Sequence, residues 1–213
     1  WYLRTAVSRV INSADRVIAQ SSDTKENALK YYSVDPDQEI EVEPLPYEPY
    51  DFESVSRSEL GLDEDVTYTV SVGRLVERKG YRYLIDAISM LDEDIEALVI
   101  GEGPQRAELE AYADEQGVDD RVHFLGYVSE DKKFQYLDCA DVYVLSSIHE
   151  GFGIVLQEAM QVGLPIVATD NGGQTDLMER YQYGATVSVR NAEEIAESVS
   201  KYTEEFPVID DPI

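Results

Sequence analysis

The chain of 213 residues has a single cysteine, Cys139, which excludes an internal disulfide. It has two histidines, His123 and His149, and neither has another histidine or a cysteine at ligand spacing, so no metal site is expected. No apolar run reaches the ~18 residues of a membrane span. The first ten residues carry Arg4 and Arg9 and no cleavable apolar block, so no secretory signal is expected there. Patterns of the Gly-x-Ser-x-Gly, Walker A and zincin kinds are absent. Cations are scarce: 17 Lys+Arg stand against 44 Asp+Glu, a formal net charge of −27. A surface of that sign repels polyanions, so nucleic acid is not an expected partner, nor is an anionic membrane outside a local basic patch.

The acidic residues run along the whole chain instead of forming a tail, and only six lysines occur. Carboxylates cluster where lysine is usual, as in Asp92, Glu93, Asp94 and Glu96. At ordinary ionic strength such a surface repels itself. At ~1 M salt the Debye length falls to about 3 Å and the repulsion is screened. The composition therefore points to a salt-rich cytoplasm, the alternative being an ordinary acidic protein. Hydrophobic residues make up 43%, enough for a sizeable core and too many for wholesale disorder.

From residue 66 onward, β-branched runs at 66–72, 97–100, 122–125, 142–145, 166–169 and 185–189 alternate with helical patterns. The helices are expected at 81–91, 104–116, 130–137, 154–161, 174–181 and 191–202, with apolar residues at helical spacing such as Leu84, Ile85, Ile88 and Leu91. This alternation predicts an α/β domain over 51–213 with a doubly wound, parallel, six-stranded sheet of Rossmann-like type. The near-continuous apolar strands fit a sheet covered on both faces. The first fifty residues read differently, as helix 5–12, strand 16–19, helix 23–32 capped by Ser22 or Asp23, and strand 39–42. Pro44, Pro46 and Pro49 then mark a linker. Two short strands cannot close a core. Residues 1–50 are therefore expected to be the trailing edge of a first domain, and the chain, which starts at Trp1, a fragment or processed product.

In a doubly wound sheet, ligands sit beyond the carboxyl ends of the strands where the strand order reverses. The order 3-2-1-4-5-6 puts the first and fourth strands side by side there. After the first strand come Gly73, Arg74, Arg78, Lys79, Gly80 and Arg82. Four cations so close together in an acid-rich chain point to an anion; ion pairing with neighbouring carboxylates is the alternative, stronger for Arg78 and Arg82 than for Arg74 and Lys79. A guanidinium and an ammonium suit a diphosphate. After the fourth strand come His149, Glu150, Gly151, Phe152 and Gly153, and then a helix bearing Glu158. Its amino end offers N–H groups to an anion. Eight helical residues span about 12 Å, which fits two carboxylates reading separate hydroxyls and not the ~5 Å pair of a retaining glycosidase. A solvated helix position is the alternative for Glu158. Gly101 and Gly103 make half a dinucleotide fingerprint, with Arg106 where the third glycine belongs, which speaks against a nicotinamide cofactor. Gly172 and Gly173 form a second glycine pair, either above the crevice or as a simple tight turn. His123 is read as a satisfied strand residue, and His149 as a possible neighbour of the site.

These residues resemble a known family. Ser71-Val72-Gly73-Arg74-Leu75 with Lys79-Gly80, then Gly101-Glu102-Gly103 and Val122-His123-Phe124-Leu125-Gly126, are similar to the donor domain of the retaining glycosyltransferases of family 4. So are His149-Glu150-Gly151-Phe152-Gly153 and Glu158-Ala159-Met160, whose glutamates match the family's E-x7-E motif, with Gly163, Pro165 and the Gly172-Gly173 pair. The resemblance runs from about residue 66 to 200. It implies the carboxyl-terminal half of a GT-B fold, with a nucleoside-diphosphate sugar as donor substrate and no further cofactor. By this resemblance Arg74 and Lys79 hold the donor diphosphate and Glu150 contacts the transferred sugar, these three being the catalytic set. Phe152 and Gly153 offer backbone N–H groups, Glu158 binds the ribose, Tyr127 and Val128 approach the base, and Gly73 and Gly103 line the donor's path. Asp176 departs from the family, where Glu is common. The acceptor, a saccharide or a lipid-linked one, is expected on the absent amino-terminal domain, in the cytoplasm or at the inner membrane face. A nucleotide-sugar-binding module without chemistry and an epimerase of related fold are the alternatives.

Overall fold

The structure is a computed structural model that describes residues 2–204. Trp1 and the last part of the expected donor domain, 205–213, lie outside the described residues. The amino-terminal unit is helix α1 (Tyr2–Ser13), strand β1 (Val17–Ala19), helix α2 (Ser22–Tyr31) and strand β2 (Ile40–Val42). The two strands pair in parallel, Val17 beside Ile40 and Ala19 beside Val42. The cap of α2 is Ser21, one residue earlier than expected, because its hydroxyl accepts the N–H of Thr24 at 3.1 Å.

The main sheet follows as β3 (Thr67–Val72), α3 (Tyr81–Met90), β4 (Ile95–Ile100), α4 (Arg106–Gln116), β5 (Val122–Gly126) and α5 (Glu130–Cys139). It continues as β6 (Val142–Leu145), α6 (Ile154–Gln161), β7 (Ile166–Thr169), α7 (Gln174–Tyr181), β8 (Gly184–Val187) and α8 (Ala192–Glu204). All six strands are parallel, in the order β5-β4-β3-β6-β7-β8. This is the doubly wound order expected, with β3 and β6 adjacent at the reversal. Strand β8 ends before Ser188, whose N–H turns to the Glu194 carboxylate at 2.6 Å and leaves the ladder.

Alternate residues of each strand feed opposite faces, as the period of two requires. Val99 and Val144 join Leu84 and Ile88 of α3, Leu109 of α4 and Val199 of α8. Leu98 and Tyr143 join Phe134 and Leu137 of α5, Leu156 of α6 and Leu177 of α7. Each such leucine or isoleucine contributes roughly 2 kcal/mol on leaving water.

The proline-bearing stretch after β2 forms neither helix nor strand, as expected, yet it is no loose tether. Tyr50 and Phe52 stack on the Phe134 ring at 5.0 and 5.4 Å. The Gln161 side chain accepts the Tyr50 N–H at 2.9 Å and donates to its carbonyl at 2.7 Å. The Tyr50 hydroxyl reaches Asp131 at 3.0 Å. The stretch is therefore strapped across α5 and α6. A short 3-10 turn, Arg57–Leu60, then pins the opposite end of the sheet. Arg57 donates to both Asp141 oxygens at 2.8 Å, to Cys139 O at 3.0 Å and to Val66 O at 2.9 Å. Asp141 in turn accepts the Tyr68 N–H at 2.7 Å, so one guanidinium ties β3 to the start of β6.

Arg57→Ala should lower the unfolding free energy by about 2–3 kcal/mol, because it strands a largely covered carboxylate and two carbonyls. Denaturant unfolding measures this, and a loss below about 0.5 kcal/mol, the ordinary surface value, would refute the pin.

Candidate functional site

Val70 of β3 pairs with Tyr143 of β6, and the loops that leave these neighbouring strands meet. Ile148 N–H donates to Arg78 O at 2.7 Å, and the Ser146 hydroxyl donates to Lys79 O at 3.1 Å. Gly80 lies in the left-handed region at φ 66°, and a Cβ there would stand 2.1 Å from Ser146 O. Only glycine permits this approach. The approach brings the Lys79 ammonium onto the Glu150 carboxylate, both buried, as an ion pair with a short contact. Glu150 is further held by the Ser147 hydroxyl at 3.4 Å and by the Gly151 N–H at 3.2 Å.

The four cations after β3 separate into distinct roles. Lys79 binds Glu150. Arg78 lies 3.9 Å from the same carboxylate and donates to His149 O at 3.4 Å. Arg82 leaves the crevice, lying over the Tyr112 ring at 3.7 Å and pairing with Glu108 at 3.4 Å. Arg74 is exposed and has no ion pair among the described residues. The ion-pair alternative thus holds for Arg82 and applies in part to Arg78. It also applies to Lys79, but the partner there is itself a candidate site residue.

Beside Arg74 opens a cleft of about 460 Å³, lined among others by Gly73, Tyr127, Val128, Glu130 and Lys133. Tyr127 is 83% exposed, so its ring stands free at the mouth. Gly103 packs closely on the loop after β3. A Cβ on it would meet Leu75 O at 2.2 Å, so its bare backbone serves the packing of two loops, while Gly101 and Glu102 line the cleft. A hollow of about 530 Å³ between α1 and α2, bounded by Arg4, Arg9 and Tyr31, shares no residue with the crevice.

Glu158 is no solvated helix position, for its side chain is only 14% exposed. Its Oε1 accepts from the Lys133 ammonium at 2.8 Å. Its Oε2 is buried with no hydrogen-bond partner among the described residues. Lys133, which sequence reasoning passed over, also binds both oxygens of Glu130 at 2.9 and 2.7 Å. The available signal was a lysine directly beside Phe134 on a helix face bound for the core. Phe152 sends its side chain into the core, while its N–H and that of Gly153 have no partner among the described residues.

The amino-terminal unit reaches the same place. Gly173 N–H donates to Glu150 O at 2.9 Å, which sets the glycine pair against the Glu150 loop. Over this contact sits the start of α2. The Ser21 hydroxyl donates to Gly151 O at 3.3 Å, and Ser22 N–H donates to Asp176 at 2.6 Å. His149 lies 3.8 Å from Asp23. Asp176 is thereby the partner of a helix start 154 residues away in sequence. His123 bonds Glu96 at 2.6 Å, the satisfied strand histidine that was expected.

Fold and crevice together define a doubly wound α/β domain whose candidate ligand site lies at the reversal of strand order. The glycosyl transferases group 1 model matches residues 53–206. The chain therefore belongs to the group 1 glycosyltransferases, and its sheet matches the carboxyl-terminal domain of GT-B folds. It is 34% identical over 148 residues to the lipopolysaccharide core biosynthesis glycosyltransferase LpsE of Rhizobium meliloti, covering 70% of this chain and 43% of that protein. It is 30% identical over 207 residues to a putative teichuronic acid biosynthesis glycosyltransferase, TuaC of Bacillus subtilis, covering 94% and 50%. Among solved structures, sucrose-phosphate synthase from Thermosynechococcus elongatus superposes with a TM-score of 0.82 at 27% identity, over 93% of this chain and 51% of that one. Anabaena HepE in complex with UDP-glucose gives 0.77 at 25%, over 93% and 57%. The chain thus spans about half the length of the relatives it matches.

Gly80→Ala should push the two loops apart and cost about 2 kcal/mol or more, combining left-handed strain with a backbone clash. Chemical unfolding would show it. Gly117→Ala, also left-handed but with nothing within 4 Å of its Cβ, should cost distinctly less, and equal losses would count against the loop contact.

Proposed function

We propose that this chain is the donor-binding half of a hexosyltransferase of the retaining family 4 type, using a nucleoside-diphosphate sugar. The observation that carries the reading is the contact of Lys79 with Glu150 at the ends of adjacent strands, beside an unpaired Arg74. Arg74 and Lys79 take the diphosphate. Lys79 is then shared between a phosphate oxygen and Glu150, so its position is set before the donor arrives. Glu150 stands beside the transferred sugar, and the free N–H groups of Phe152 and Gly153 face it. Glu158 reads the ribose and Tyr127 the base. HepE, described with UDP and with UDP-glucose, supports this class of donor.

In the reaction the bond from the anomeric carbon to the phosphate oxygen breaks. The acceptor oxygen bonds to the same face of that carbon, and the acceptor proton passes to the leaving phosphate. Charge grows on the diphosphate as it departs, so fixed cations there lower the barrier directly. The acceptor, a saccharide or a lipid-linked one, is held by upstream sequence, in the cytoplasm or at the inner membrane face. The net charge of −27 supports a salt-rich interior as the setting of this reading.

Arg74→Ala should weaken binding of a nucleoside diphosphate by about tenfold, the worth of a charge-assisted contact, and Arg78→Ala by clearly less. Calorimetry in the presence and absence of a chelator measures both. Loss of binding with the chelator, or a larger effect at Arg78, would overturn the clamp as described. The unfolding midpoint should also rise between about 0.1 and 2 M potassium chloride as surface repulsion is screened. A flat or falling midpoint would refute the salt-rich assignment.

A further inference from the structure

Lys133 and Lys79 are the two buried lysines among the described residues. An ammonium has three donors, and that of Lys133 meets three carboxylate oxygens, two on Glu130 and one on Glu158. The two partners differ. Glu130 is 58% exposed, so water can replace the lysine there. Glu158 is 14% exposed, and Lys133 is its one ion-pair partner among the described residues. The other groups whose charge states respond to Glu158 are Tyr143 of β6 and Tyr47 of the strap. The Tyr47 phenol is pushed up to about 12 by burial first and by Glu158 and Glu130 next, while that of Tyr143 is raised by burial first, then by Tyr81, with Glu158 and Glu150 adding less. Arg74 is the remaining cation lining the cleft. A carboxylate so enclosed is costly unless paired, and one of its oxygens is still unpaired.

We propose that Lys133 is a positioning residue of the nucleotide cleft. It holds Glu158 in one orientation through Oε1 and leaves Oε2 as the acceptor for a hydroxyl of the bound nucleotide. The inference rests on the reading of Glu158 as the ribose contact. The alternative is an ion pair that only joins α5 to α6.

The test titrates the 213-residue chain with UDP, GDP and ADP, and then with the 2′-deoxy form of the tightest binder. The wild-type chain should favour the ribonucleotide. Glu158→Gln should reduce that preference. Lys133→Met should weaken the ribonucleotide by about tenfold and bring the two affinities close together, while Lys133→Arg restores part of the preference. With Glu158 already neutralised, adding Lys133→Met to Glu158→Gln should change affinity by less than about twofold, since coupled residues are non-additive. The double variant also serves if Lys133→Met alone does not fold, because it leaves no unpaired charge on Glu158. An equal loss for both nucleotides in Lys133→Met, or a further large loss in the double variant, would overturn the positioning role while the ribose reading stands. A wild-type chain that binds both nucleotides alike, with Glu158→Gln unchanged, would overturn the ribose reading itself and this proposal with it.

Discussion

The buried pair of Lys79 and Glu150 is the constraint around which the crevice is arranged. Two charges removed from water cost several kcal/mol each, and only close geometry and further hydrogen bonds offset this. Here the geometry comes from the backbone. Gly80 lets one loop touch the other at Ser146, and Ser147 and Gly151 supply the extra contacts to the carboxylate. The Glu150 backbone is fixed in turn by Asn171 and Gly173 beyond β7. One ion pair therefore couples the carboxyl ends of β3, β6 and β7. On the proposed donor-binding reading, a diphosphate would meet a lysine that is already aimed, with little ordering left to be done on binding.

The fold was legible because its signal is local. Strands buried on both faces must be apolar throughout, and helices over a sheet must repeat their apolar residues at a helical period. Both rules act within ten residues, so all six strands of the main sheet were expected within two residues of where they lie or end. One edge moved through a single side chain, where Glu194 takes the Ser188 N–H and ends β8. The crevice was legible for a topological reason. Once the order of a doubly wound sheet is assumed, the loops at its reversal are known by their place in the sequence.

What escaped were contacts between distant positions. Lys133 meets Glu158 across 25 residues, and Ser22 meets Asp176 across 154. Neither spacing has a period. A lysine on a helix reads as a solvated charge until the opposing helix is known to present a carboxylate. The packing of Gly103 was hidden for a related reason. A glycine near a crevice can admit a ligand or another backbone, and only the position of Leu75 O decides between them. The strap was hidden by its prolines, which exclude helix and ladder but say nothing of the Tyr50 ring lying on Phe134.

These distant contacts share one electrostatic logic. In a chain with 44 acidic and 17 basic side chains, an exposed carboxylate is ordinary and an enclosed one is not. The enclosed carboxylates near the crevice, Glu150 and Glu158, each have a buried lysine of their own. Asp141, largely covered at the far end of the sheet, has Arg57. Salt can screen the outer surface but reaches buried pairs far less. Solvent ions can thus stand in for missing surface cations, whereas an interior carboxylate needs a cation built into the chain. Lys79, Lys133 and Arg57 stand where solvent cannot act for them. Arg74 is placed differently, exposed and without an ion pair among the described residues at the lining of the cleft, which leaves its charge available to an anion that the fold does not itself contain.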